Sequence, residues 1–185
     1  MPRLRLLCLA CVLCCANLFG SLPSSYGAEP IGGEAIAWRN LVVDTPPRWF
    51  RVPEQEGEAG AMAVFAAKSD GTLAVVTLSV LDKTVPDTAA STALLQELRT
   101  AQAAKPEYSN VAVRTASAAT VLGHKQAPYL TYRRGEKRYF VFFPPGTGEN
   151  YNLNVVVPAA AGQELPAFVA YFLGRVQTQE AWQAA

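Results

Sequence analysis

The chain contains one histidine, His124, in the sequence Gly123-His124-Lys125 ahead of a predicted strand. A catalytic histidine needs a nucleophile and an orienting acid beside it. The sequence contains no Gly-x-Ser-x-Gly elbow that would present a serine for this purpose. We therefore interpret His124 as a solvated turn residue without a catalytic role.

Four cysteines have the spacing Cys-x-x-Cys-x-x-Cys-Cys, which is typical of a zinc or cluster site when it lies in a folded domain. They are Cys8, Cys11, Cys14 and Cys15. All of them fall within an apolar run at the N-terminus, and a segment that is removed provides no polar shell around a metal. The remaining chain has no cysteine, so we expect no disulfide, no thiol nucleophile and no thiolate metal site in it.

The N-terminal residues have the three parts of a secretory signal. Arg3 and Arg5 precede the apolar run 6–20, and a small, polar, turn-rich stretch follows it. This pattern predicts a cleaved signal peptide over residues 1–27, with the cut after Gly27 or, as second choice, after Ala28. The run is shorter than the roughly 20 apolar residues of a membrane span, which disfavours an uncleaved anchor. Lipidation of one of the cysteines is a further, less favoured alternative.

The loop 143–150, Phe-Pro-Pro-Gly-Thr-Gly-Glu-Asn, is similar to a phosphate-binding loop. Such a loop ends in Gly-Lys-Ser/Thr, where the lysine neutralises phosphate charge. Here Glu149 and Asn150 take those positions, and a strand follows where the N-terminus of a helix is required. We interpret the segment as a hairpin loop. Three glutamates, Glu54, Glu56 and Glu58, are a weak match to a calcium loop, and we interpret them as a solvated loop.

The best candidate for a surface site is a group of basic residues at a predicted hairpin tip, with Tyr132 and Tyr139 nearby. The group consists of Arg133, Arg134, Lys137 and Arg138. It is suited to an acidic partner, an anionic glycan or a lipid headgroup. The alternative, which we favour, is that the charges protect the hairpin against edge-to-edge aggregation.

Several aromatic residues of the late strands are suited either to a ligand cavity or to a packed core, and core is the default interpretation. They are Tyr139, Phe140, Phe142, Phe143 and Tyr151. In the last strand, apolar residues alternate with Asn152 and Asn154, which predicts one buried face.

The elements that position these groups follow from turn and periodicity signals. Asp70-Gly71 predicts a hairpin, and Asp87 or Thr88 is the predicted cap of a helix that ends near Ala104. The predicted strands cover 41–43, 61–67, 73–81, 111–115, 129–134, 138–143 and 151–157, and a closing helix covers 165–177. Short connections make the sheet mainly antiparallel, which predicts one α+β domain over residues 28–185 with its core at about 36–177.

The ordered set of motifs resembles the PsbP-like superfamily, which includes exported DcrB-like proteins. The similarity covers roughly residues 36–177 and rests on Pro46-Pro47-Arg48-Trp49, on the Asp70-Gly71 hairpin, on Leu122 to Tyr129, and on Tyr151 to Val155 before a terminal helix. It implies an antiparallel sheet between helices, an α/β/α sandwich, and non-enzymatic accessory or assembly roles. The family shares no single set of functional residues, so the resemblance transfers none.

Composition excludes one class of partner. Without Arg3 and Arg5, 14 basic residues face 15 acidic ones, whereas nucleic-acid binding needs a basic excess. We expect an exported, periplasmic binding or accessory factor for another envelope protein, without a cofactor and not integral to the membrane. The alternatives are a carrier of a small molecule or lipid in an apolar cavity between sheet and helix, and a hydrolase without a sequence signature.

Overall fold

The computed structural model describes residues 33–52, 62–117, 119–146 and 148–185. Within these residues the chain has three α-helices: α1 (Thr88–Ala103), α2 (Ala167–Leu173) and α3 (Gln179–Gln183). The strands are β1 (Ala35–Trp38), β2 (Leu41–Asp44), β3 (Trp49–Arg51), β4 (Met62–Ser69), β5 (Thr72–Leu81), β6 (Tyr108–Thr115), β7 (Thr120–Val121), β8 (His124–Lys125), β9 (Pro128–Arg134), β10 (Lys137–Phe142), β11 (Asn150–Pro158) and β12 (Val176–Thr178). The fold is therefore α+β, as predicted.

Seven strands form the main sheet in the order β3-β4-β5-β11-β10-β9-β6, and every pairing in it is antiparallel. A smaller sheet has the order β1-β2-β12, and β7 pairs with β8. The antiparallel sheet predicted from the short connections is thus confirmed. The last strand of the chain, β12, returns to pair with β2 near its beginning.

The main sheet is buried on both faces. On one of them, the α1 face, Leu130, Tyr132, Tyr139 and Val141 pack with Leu95 of helix α1. The opposite face, the α2 face, carries the larger cluster. Its members include residues of the main sheet, of the small sheet and of α2, among them Phe65, Phe140, Leu153, Leu41, Val43, Val169 and Phe172.

Two local signals explain where elements begin and turn. Asp70 and Gly71 have φ of 49° and 78°, the left-handed conformation that a tight hairpin between β4 and β5 requires. At the start of α1, the Asp87 side chain accepts a hydrogen bond from the Ala90 N–H at 2.7 Å, so Asp87 is the cap. Both features agree with the prediction.

The closing helix is shorter than predicted. Residues 165–177 have an apolar period of 3.6, yet α2 ends at Leu173 and Gly174 caps it. Val176 is buried, but as a residue of β12 opposite Val43. The period was misleading because burial in the small sheet gives an apolar residue at the same spacing as one more helical turn.

The asparagines of β11 are also placed differently from the prediction. Asn152 and Asn154 are 7% and 2% exposed, so both faces of this strand are buried. The strand lies between β5 and β10 in the middle of the main sheet, where neither face is left to solvent. The alternation of apolar residues with Asn152 and Asn154 therefore does not indicate a solvent-exposed face of β11.

Candidate functional site

The predicted basic group lies at the end of the β9–β10 hairpin, beside the turn Gly135-Glu136. The register pairs Arg134 with Lys137 and Arg133 with Arg138. Because side chains alternate between the faces of a strand, these two pairs point to opposite sides of the sheet. The four residues thus belong to two sites on opposite faces of the sheet and do not form one patch.

The first site is on the α1 face, and we call Lys105, Tyr108, Arg134 and Lys137 the Tyr108 surface. The Lys105 Nζ and the Arg134 guanidinium each lie 5.5 Å from the centroid of the Tyr108 ring. Burial lowers the pKa of Lys137, and the charge of Arg134 lowers it further. Two cationic side chains, one from beyond the end of α1 and one from β9, therefore lie over one aromatic ring, and the charge of Lys137 lies near that of Arg134.

Stacked tyrosines hold this surface in place. Tyr108 makes an edge-to-face contact with Tyr132 at 5.2 Å, and Tyr132 stacks on Tyr139 at 4.8 Å between ring centroids. All three rings are buried in the cluster beneath α1. Because the rings are held rigidly, the cationic side chains packed on them are already restricted in conformation. They therefore lose less conformational entropy when a partner binds.

The second site is on the α2 face and contains Arg138, Arg133 and Arg114. Arg138 is 4% exposed, whereas Arg133 is exposed and donates from Nε to the Gly135 carbonyl at 2.7 Å. Arg114 donates to Glu164 Oε1 and to Gln163 Oε1, each at 3.0 Å. This group concentrates positive charge around a buried guanidinium.

His124 has a structural contact. Its Nε2–H donates to the Pro145 carbonyl at 3.0 Å, which ties β8 to the loop after β10, and the side chain is half-buried. The ring is thus partly shielded, where the sequence predicted a solvated turn residue. Within the part of the chain that the structure describes, no group of three His, Asp or Glu side chains is placed to hold a metal ion.

Glu149, which stands where a phosphate loop has lysine, joins the two sheets. It accepts a hydrogen bond from Arg39 at 3.0 Å and another from the Tyr151 hydroxyl at 2.8 Å. Burial raises the pKa of Tyr151, and the hydrogen bond to Glu149 raises it further. An acid engaged in this way is unsuited to binding phosphate, in agreement with the hairpin-loop interpretation.

The aromatic residues suggested as a cavity lining pack on both sides of the main sheet. Tyr139 and Phe143 belong to the cluster beneath α1, while Phe140, Phe142 and Tyr151 belong to the opposite one. They therefore do not converge on one space. Two surface clefts, of about 370 and 360 Å³, lie elsewhere, one at 81–84 with 148–150 and one at 69–72 with 161–168. Glu54, Glu56, Glu58 and the four cysteines lie outside the described residues.

The chain matches no model of a known protein family, and the search of curated proteins finds no similar protein. Among the helices of the described residues, none has both the length and the apolar character that a membrane crossing requires. The two hairpin sites are therefore the strongest basis for a function.

Sequence reasoning missed three residues of these sites. Lys105 and Tyr108 lie where α1 ends and β6 begins, and Arg114 lies at the other end of β6. Tyr108 lies beside the hairpin only because β6 pairs with β9, which puts it opposite Arg134, and the same pairing puts Arg114 opposite Tyr129 near the start of β9. No local signal reveals that pairing, since the order of strands in a sheet depends on contacts distant in sequence.

Proposed function

We propose that this chain is exported to the periplasm and that its mature domain is a non-enzymatic accessory or assembly factor that binds another envelope protein. The three-part N-terminal segment supports export. The resemblance to PsbP-like and DcrB-like proteins supports a role in binding. With α1 on one face of the main sheet and the small sheet and α2 on the other, the layers are compatible with the α/β/α sandwich of that superfamily.

The observation that carries the binding role is the charge of the Tyr108 surface. Within the described residues, no carboxylate forms an ion pair with Lys105 or Arg134, although both lie over the same ring. Like charges brought together repel each other, and an acidic segment of a partner would relieve that repulsion. The partner we propose is therefore a protein with an acidic surface.

Changing Lys105, Arg134 and Lys137 together to alanine should reduce recovery of the partner from envelope extract at least severalfold. The control removes the same charge elsewhere, at the exposed residues Lys68, Arg99 and Lys125, and should leave recovery unchanged. Quantitative cross-linking and capture, repeated at rising salt, measures both variants. Equal recovery by the two triple variants would exclude the Tyr108 surface as the contact site.

Export has its own test. The protein purified from its host should begin at Ala28 or Glu29, and Leu13→Arg should leave uncut precursor in the cytoplasm because a charge in the apolar run opposes insertion. Leu13→Val is the matched control and should be processed normally. Cell fractionation followed by N-terminal sequencing of the protein measures where each variant lies and at which residue it begins. Normal export of Leu13→Arg, or exported protein that begins at Met1, would contradict the signal-peptide assignment.

A further inference from the structure

Arg138 is a buried charge without a counter-charge. Its side chain is 4% exposed, and within the described residues it forms no ion pair. Among the residues that the structure describes, its Nε–H also has no hydrogen-bond partner. Burying a guanidinium costs free energy unless an acceptor compensates for the lost water. A bound anion would supply both the acceptor and the counter-charge that Arg138 lacks.

Two more arginines increase the positive potential there. Arg133 is the cross-strand partner of Arg138 on the same face, and Arg114 lies on the next strand beyond it. Burial lowers the pKa of Arg138, and the charges of Arg114 and Arg133 lower it further. Arg133 and Arg138 are neighbouring like charges on one sheet face, and Arg114 adds positive potential from further along that face, so a negative group beside the buried Arg138 is favoured.

Thr131 supplies a second unsatisfied donor beside the guanidinium. It is 1% exposed, and its Oγ1 has no hydrogen-bond partner in the part of the chain that the structure describes. In the register it lies opposite Phe140, diagonally from Arg138 on the α2 face. Diagonal neighbours in a sheet are about 7–8 Å apart, which is within reach of a long side chain. A small group between the two residues would satisfy both.

The acid that the fold brings to this region does not neutralise Arg138. Glu164 is bound to Arg114 at 3.0 Å, and its side chain is 80% exposed. It reaches the outer arginine and solvent but forms no ion pair with the buried one. The Glu164–Arg114 ion pair therefore leaves Arg138 without a counter-charge from the described residues.

We propose that Arg138 and Thr131 bind a single oxyanion, the carboxylate or phosphate group of a small ligand, and that Arg133 and Arg114 add positive charge around it. A guanidinium donates two parallel N–H bonds to such a group, and the threonine hydroxyl donates a third. The site is on the face opposite the Tyr108 surface. It therefore does not depend on the proposed partner-binding role, and each can fail without the other.

Thermal unfolding of the purified protein with three probes tests the proposal. Sodium acetate, sodium succinate and inorganic phosphate are each compared with sodium chloride at equal ionic strength. At least one oxyanion should raise the Tm by several degrees, since a ligand that binds only the folded state stabilises it. A response to the carboxylates alone or to phosphate alone identifies the source of the group. No response to any probe would overturn the proposal.

Variants localise the effect. Arg138→Met should abolish the rise, and Thr131→Val should weaken apparent binding about tenfold through the loss of one hydrogen bond to a charged group. Arg99→Met removes an exposed arginine and should respond as wild type does. An unchanged rise in Arg138→Met would overturn the site. Should that variant not fold, the Nε–H resonance of Arg138 in the wild-type protein decides: it shifts with the probe if the proposal holds, and stays in place if it does not.

Discussion

Replacing Phe172 with alanine should lower the free energy of unfolding by about 3–5 kcal/mol. Phe172 is fully buried on α2. Its ring stacks on Trp49 at 4.1 Å and lies 5.3 Å from the ring of Phe65, measured between centroids. The truncation removes these contacts and leaves a cavity that rigid neighbouring rings fill poorly. Because Trp49 is on β3, Phe65 on β4 and Phe172 near the C-terminus, the effect extends across the α2 face.

Urea unfolding measures this loss, with an unchanged slope as evidence that the folded state is otherwise retained. The matched control is Tyr171→Ala, the adjacent residue on the same helix, whose side chain is 58% exposed. It loses only a surface contact with Arg175 and should change stability by less than about 1 kcal/mol. Equal losses in both variants would mean that helix formation, and not core packing, dominates the role of α2.

Local signals in the sequence correctly predicted the elements whose chemistry is local. The φ values of Asp70 and Gly71 are those of the hairpin that the dipeptide predicts, and Asp87 caps α1 as expected. Strands of seven or more residues were found to within a few residues because their period is sustained. The short strands β1, β3, β7, β8 and β12 were missed, since two to four residues carry little pattern that distinguishes a strand from a loop, although β2 was predicted.

The basic hairpin illustrates a signal that was present in the sequence but not used. A two-residue turn at Gly135-Glu136 fixes the register, and the register alone assigns the four cations to two faces in pairs. The residues that join these cations from β6 could not be predicted in this way. Tyr108 joins one pair and Arg114 the other only through the placement of β6 at the sheet edge, which no nearby residue encodes. The four hairpin cations and their faces were thus predictable from the sequence, whereas Tyr108 and Arg114 depend on tertiary contacts.

The asparagines of β11 provide the second large stability prediction. Asn154 is 2% exposed, and neither its Oδ1 nor its Nδ2 has a hydrogen-bond partner within the described residues. Replacing it with leucine, which has the same number and branching of side-chain heavy atoms, should raise the free energy of unfolding by about 1–3 kcal/mol, because a buried amide without partners costs that much. Core substitutions seldom stabilise a protein, so the direction of the change is itself informative.

Asn150, four residues earlier on the same strand, is the control with the opposite expected sign. Its Oδ1 accepts from the buried Val85 N–H at 3.1 Å, and its Nδ2 donates to the Gly148 carbonyl at 3.1 Å. Asn150→Leu leaves that N–H unsatisfied and should lower the free energy of unfolding by about 1–3 kcal/mol. Urea unfolding of both variants gives the comparison. If Asn154→Leu were as destabilising as Asn150→Leu, the prediction would be wrong. The amide of Asn154 would then have a hydrogen-bond partner, such as a buried water, and that bond would account for an asparagine in the core.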